Sequence, residues 1–156
     1  MNREEIISIL SEVKDPEIPV LSICDLGILR SVEYAEGRAC IVITPTYSGC
    51  PAMDVIREDI RASLALHGLY NVEVKQVLSP AWTTEWMSES GRNKLREYGI
   101  APPSKSCSSN GNDQPLNCPQ CQSARIEMVS RFGSTPCKAL YRCMDCQEPF
   151  DYFKCH

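Results

Sequence analysis

Cys118-Pro119-Gln120-Cys121 and Cys143-Met144-Asp145-Cys146 are two CxxC units separated by 21 residues. No other feature constrains the fold of this chain so tightly. A CxxC turn places two sulfurs on one side of a tetrahedron, and a second turn brought alongside completes the four soft ligands that structural zinc takes. Between the pairs, Ile126 and Met128, then Leu140 and Tyr141, suit short strands. The pattern predicts a zinc ribbon over residues 117–156, with Cys118, Cys121, Cys143 and Cys146 holding a structural zinc. About forty residues cannot build a self-sufficient core, so metal binding would supply much of the folding free energy. The same four thiolates also suit an iron–sulfur cluster, which stays open as the alternative.

Seven of the ten cysteines fall in residues 101–156 and three in residues 1–100. The N-terminus, Met1-Asn2-Arg3-Glu4-Glu5, is charged and no long apolar stretch follows it. Nothing approaches the ~18 apolar residues of a membrane span. The expectation is a cytoplasmic chain whose thiols stay reduced, bind metal or react. A net charge of −4 argues against a phosphate-gripping nucleic-acid binder. Residues 101–116 contain paired Pro102 and Pro103, four serines and little apolar mass, including an incidental Cys107. Such a stretch predicts a flexible linker between a first domain, 1–100, and the ribbon. The tail also holds Cys137 and Cys155, read either as small buried residues or as a secondary thiol pair near the surface. Phe150, Tyr152 and Phe153 read as ribbon core or as exposed anchors. His156, at the C-terminus, is expected to be solvated.

The first domain reads as mixed α and β. Asn2 caps a helix over residues 3–13, with Glu5 three residues later and Ile6, Ile9, Leu10 and Val13 on one face. Residues 28–35 and 38–44 read as strands joined at Glu36-Gly37. A helix over 51–67 begins at Pro51, aligns Met53, Ile56, Ile60 and Leu64, and ends at Gly68. Residues 71–78 read as a third strand, and a short helix is expected near 89–98. Trp82 and Trp86 suit either core packing or an interface. The order αββαβ predicts an α/β (α+β) fold: a small two-layer sandwich followed by the zinc-ribbon mini-domain.

Cys50 follows the strand 38–44 and the loop Pro45-Thr46-Tyr47-Ser48-Gly49, and immediately precedes Pro51 and the helix. A sulfur there meets the helix N-terminus, where free N–H groups favour negative charge, so its pKa is expected to fall. The bland reading is a capping or buried cysteine. Asp15 and Glu17 lie in a loop stiffened by Pro16 and Pro19 and suit a hard cation or an acid–base step, or simply a turn. Asp25-Leu26-Gly27 reads as a turn, with Cys24 beside it and expected near Cys50. His67 closes a helix and leaves Cys50 without an evident base.

Asp15-Pro16-Glu17-Ile18-Pro19, Asp25-Leu26-Gly27 and Thr44-Pro45-Thr46-Tyr47-Ser48-Gly49-Cys50-Pro51 resemble the DPE-motif domain of SufT-like iron–sulfur maturation factors, over residues ~3–80. The whole chain is similar to the PaaD-type family, the D-type subunits of bacterial phenylacetyl-CoA epoxidase systems. Pro80-Ala81-Trp82-Thr83-Thr84-Glu85-Trp86, the stretch 132–143 and the stretch 148–155 carry that resemblance. It implies a non-catalytic accessory subunit in phenylacetate catabolism that matures or repairs the iron–sulfur and iron centres of its partners through Cys50. It places the family's reactive cysteine on Cys50 and its acidic loop on Asp15 and Glu17. The implied cargo is a transient iron or iron–sulfur cluster. The implied partners are the other epoxidase subunits, above all the iron–sulfur flavin reductase, or a second copy of the chain as a homodimer. Cys24 departs from the pattern and would be a second local ligand or nothing. The rivals are a structural assembly subunit with no metal transfer and a thiol redox catalyst pairing Cys50 with Cys24 or Cys40.

Overall fold

The computed structural model describes residues 1–47, 49–103 and 115–155. Most of the expected linker, Cys107 and His156 therefore lie outside the described residues. The chain divides into two compact units, Met1–Ser88 and Glu89–His156.

In the first unit, helix α1 spans Arg3–Leu10. Asn2 and Glu5 cap it reciprocally, each side chain accepting the other's backbone N–H at 2.9 Å. It stops before residue 13 because the N–H groups of Glu12 and Val13 turn to carbonyls three residues back. Val13 nonetheless stays buried. The expected turn at Asp25-Leu26-Gly27 belongs to a one-turn helix, α2 (Ile23–Leu26), with Ser22 and Asp25 as its capping box. Gly27 ends it at φ +77, and a Cβ there would lie 2.6 Å from the Trp86 carbonyl oxygen. Only glycine meets both conditions.

Strands β1 (Leu29–Ala35) and β2 (Arg38–Ile43) form an antiparallel hairpin. Glu36 and Gly37 both take positive φ at its tip, as a two-residue turn with the twist of the strands requires. Helix α3 (Ala52–Leu66) then crosses to β3 (Val72–Gln76), which lies parallel to β2 in the order β1-β2-β3. Val32, Ile41 and Ile43 of the sheet are buried, as are Ile6, Leu10, Ile56, Ile60 and Leu64 of the helices. Each such side chain contributes about 1.5–3 kcal/mol by leaving water. This is the two-layer αββαβ sandwich predicted above, with α2 added. Past β3, Trp82 is buried and donates from Nε1 to the Leu26 carbonyl at 2.8 Å, so it packs as core. Trp86 sits in a 3₁₀ turn (Thr84–Trp86), with the Arg30 guanidinium 3.9 Å from its ring centroid.

The second unit opens with α4 (Glu89–Tyr98), a helix that chain order alone assigns to the first domain. Its antiparallel sheet runs β4-β5-β6, with β4 Ile126–Ser130, β5 Lys138–Cys143 and β6 Pro149–Phe153. Ala101 joins the sheet's end by accepting from the Phe153 N–H at 3.0 Å and donating to the Asp151 carbonyl at 2.9 Å. The core is small: Ala101, Cys118, Ala139, Tyr141, Cys143, Phe150 and Tyr152. Tyr141 stacks on Phe150 and meets Tyr152 edge-on, with centroids 6.0 and 5.7 Å apart. Phe150, Tyr152 and Phe153 are all buried, which settles them as core rather than exposed anchors. Among the described residues no helix is long and apolar enough to cross a membrane.

Candidate functional site

Strand β2 aims the chain at the start of α3. Gly49 takes φ +76 and lets the intervening loop turn back, so that Cys50 directly precedes the capping Pro51. The Cys50 carbonyl accepts from the Met53 N–H at 3.3 Å, and its sulfur faces the Ala52 N–H. The acidic loop reaches the same place. Asp15 is buried and folds that loop by accepting from the N–H groups of Glu17 and Ile18 at 2.7 and 3.0 Å. Glu17, half-buried, accepts from the Tyr47 hydroxyl at 3.2 Å. Tyr47 also lies against the Cys50 sulfur. Residues 15, 17, 47 and 50 are thus gathered at one end of α3.

The electrostatics reverse the expectation for Cys50. Burial is the largest influence and pushes the thiol above its ordinary 9.0. The Ala52 N–H and the Tyr47 hydroxyl favour the thiolate, but the carboxylates of Glu17 and Asp15 oppose it. The helix N-terminus acts as predicted and is outweighed. Tyr47 is likewise held above the usual phenol range, by burial first and then by Cys50 and Glu17. Cys24, on α2, is half-buried and raised by burial and by Asp25. No hydrogen bond joins it to Cys50 among the described residues. Cys24, Cys40 and Cys50 are all free thiols.

The second cluster forms where the first CxxC, ahead of β4, meets the second, at the end of β5. The sulfurs of Cys118, Cys121, Cys143 and Cys146 all lie within 4.8 Å of one another. Cys118 and Cys146 are 3.7 Å apart, and Cys121 and Cys143 3.5 Å. Zinc–sulfur bonds of ~2.3 Å set a tetrahedral edge of about 3.8 Å, so the sulfurs fit a four-thiolate metal site. Backbone N–H groups point at them: Gln120 at Cys118 and Cys146 at Cys143, at 3.4 and 3.5 Å. The Cys146 and Asp145 N–H groups lead in holding the Cys143 thiol down to about 6. Cys146 goes up to about 12: the Glu148 N–H favours its thiolate, but burial and the three neighbouring sulfurs outweigh it. Crowded thiols divide their protons unequally in this way until a cation compensates them.

Cys137 is buried, its sulfur 2.9 Å from the Thr135 hydroxyl. Cys155 is half-buried and disulfide-bonded, so it does not offer a free thiol beside Cys137. Sequence reasoning missed Tyr47, although it sits three residues before Cys50 in the loop already implicated.

The class of protein follows from these two parts. Residues 3–76 match the family described as "Iron-sulfur cluster assembly protein", and residues 102–154 match "PaaD zinc beta ribbon domain". The chain is 50% identical over 152 residues to the putative D-type subunit of 1,2-phenylacetyl-CoA epoxidase from Escherichia coli (strain K12), covering 97% of this chain and 92% of that one. It belongs to the family of D-type subunits of phenylacetyl-CoA epoxidase. The first unit alone is 36% identical over 94 residues to the "Fe-S protein maturation auxiliary factor" of Porphyromonas gingivalis (strain ATCC BAA-308 / W83), covering 59% of this chain and 89% of the relative. A crystal structure of a domain of unknown function, DUF59, from Bacillus anthracis superimposes with a TM-score of 0.57 at 30% identity, covering 60% of this chain and 90% of the other.

Proposed function

We propose that the chain is an accessory factor of a phenylacetyl-CoA epoxidase system. It would mature or repair its partners' iron–sulfur and iron centres, with Cys50 holding the iron or cluster in transit. The convergence of the Cys50 sulfur with Tyr47, Glu17 and Asp15 at the head of α3 carries this reading. The names of the relatives point the same way.

The site resists forming a bare thiolate, because burial and two carboxylates oppose it. An arriving cation reverses that balance. It lowers the thiol pKa as bound metals do, and the carboxylates then favour the positive charge. The Ala52 N–H and the Tyr47 hydroxyl are already placed to stabilise the sulfur once its proton leaves. One thiolate does not hold a cluster, since such centres take four protein ligands. The client, or a second copy of the chain, supplies the others. In the second unit Cys118, Cys121, Cys143 and Cys146 hold zinc. Four-thiolate zinc supplies a structural cross-link and leaves no open coordination position. The ribbon docks the client, and the favoured client is the reductase that carries a [2Fe–2S] cluster.

The test is to produce the reductase and oxygenase subunits together with the wild-type chain or with Cys50→Ser. The iron content and cluster absorbance of the purified reductase are then measured. Cys50→Ser is expected to leave the reductase depleted of cluster while the zinc content of the chain stays at one per molecule. Full cluster loading with Cys50→Ser overturns delivery through Cys50 and leaves an assembly role.

A further inference from the structure

Beyond the four sulfurs, three side chains tie the two CxxC turns to each other. Asp145 lies inside the second turn, between Cys143 and Cys146, whereas Ser123 and Arg125 follow the first. Asp145 uses both carboxylate oxygens across the gap. Oδ2 accepts from the Ser123 hydroxyl, and Oδ1 accepts from Arg125 Nη1 at 2.6 Å. The Ser123 Oγ in turn accepts from the Arg125 backbone N–H at 3.1 Å, which closes the group into a ring. The main chain runs parallel to it: the Met144 N–H donates to the Arg125 carbonyl and the Cys118 N–H to the Ser123 carbonyl, both at 2.8 Å.

The same residues also touch the sulfurs through their backbones. The Ser123 N–H is directed at Cys121 and the Asp145 N–H at Cys143. One residue on each side of the ring therefore orients a ligating sulfur of its own CxxC pair, and the ring joins the two. A carboxylate beside four thiolates is electrostatically unfavourable by itself, and nothing in a CxxC turn requires one. The Arg125 guanidinium offsets that charge. An exposed Arg–Asp pair adds little to global stability, so its location gives it a role rather than its strength.

We propose that Asp145, through Ser123 and Arg125, is a positioning residue that holds the two cysteine pairs at ligating distance and slows release of the metal bound there. The inference rests on the reading of the four sulfurs as a metal site. Partners outside a metal's ligand set commonly govern its retention in this way.

The experiment uses the full chain loaded with zinc, and follows transfer to an excess of chromogenic chelator. Asp145→Ala is expected to release zinc about 10–100-fold faster than wild type. Ser123→Ala should shift the rate less, in the same direction, and the double variant should release no faster than Asp145→Ala alone. Asp145→Asn, which keeps an acceptor oxygen, should recover part of the retention. Cobalt-loaded protein adds a signature that general destabilisation does not produce: its visible ligand-field bands should shift in Asp145→Ala while far-ultraviolet circular dichroism stays the same. Release from Asp145→Ala within twofold of wild type overturns the proposal. Ser123→Ala, a loss of one hydroxyl, decides it if Asp145→Ala does not accumulate. Failure of the wild type to take up zinc or cobalt overturns the metal-site reading itself, and the two failures are distinct.

Discussion

The two units use sulfur in opposite ways. In the first, a sandwich of aliphatic side chains forms the core and Cys50 stands apart from it, half-buried beside two carboxylates. In the second, Cys118 and Cys143 are themselves members of the core, fully buried among Tyr141, Phe150 and Tyr152. Solitary Cys50 is driven toward its neutral form. In the group of four, protons are divided, with Cys143 pushed down to about 6 and Cys146 up to about 12. Burial leads for Cys50 and the turn's backbone N–H groups lead for Cys143, with neighbouring charged groups and sulfurs adjusting both. One unit therefore folds on hydrocarbon alone, and the other gathers four sulfurs, two of them in its interior, that suit a metal ion.

The largest effect expected from that difference is on metal removal. Structural zinc contributes an apparent ~10–16 kcal/mol in small zinc modules, more than a domain of this size possesses in total. Chelation, or Cys118→Ser, should collapse the amide resonances of residues 115–155 while those of residues 3–76 keep their dispersion. Loss of both sets together would erase the contrast. The converse is Ile60→Ala, which empties a fully buried position on α3. It should cost about 2–5 kcal/mol in urea unfolding of the first unit and leave zinc retention unchanged. Smaller still is Arg30→Ala, which removes the cation above Trp86. A loss of about 0.5–1 kcal/mol and a shift in tryptophan emission are expected.

The smallest effect is a slope with pH. Cys24 and Cys50 both keep their protons to higher pH in the folded chain than the ordinary 9.0 of an unfolded thiol. Above 9.0 the unfolded chain has released protons that the folded one retains. Their contribution is thus full below that pH and is lost as pH rises through the folded values. The urea midpoint of the first unit should decline on the alkaline side, and less steeply in Cys50→Ser. A midpoint that rises there would reverse the sign assigned to the sulfur.

Local periodicity makes much of this fold legible. Met53, Ile56, Ile60 and Leu64 mark α3 to within a residue at each end, because Pro51 and Gly68 bracket it. The four clustered cysteines follow from spacing alone. The one-turn α2 is too short to show a period, although Ser22, Asp25 and Gly27 carry its capping signals. Periodicity also says nothing about which core a helix joins, so α4 reads as part of the first domain while it packs in the second. The sign of the Cys50 shift is not readable from sequence. The helix N-terminus is local and visible, whereas Glu17 and Asp15 arrive only when the chain folds a loop some thirty residues distant against Tyr47.

The upward shift of the Cys50 thiol has a consequence for its oxidation. Peroxide attacks thiolates, and a sulfur kept as a thiol stays off the first step toward sulfenic acid. Burial first, and then Glu17 and Asp15, thus disfavour the form of Cys50 that peroxide attacks.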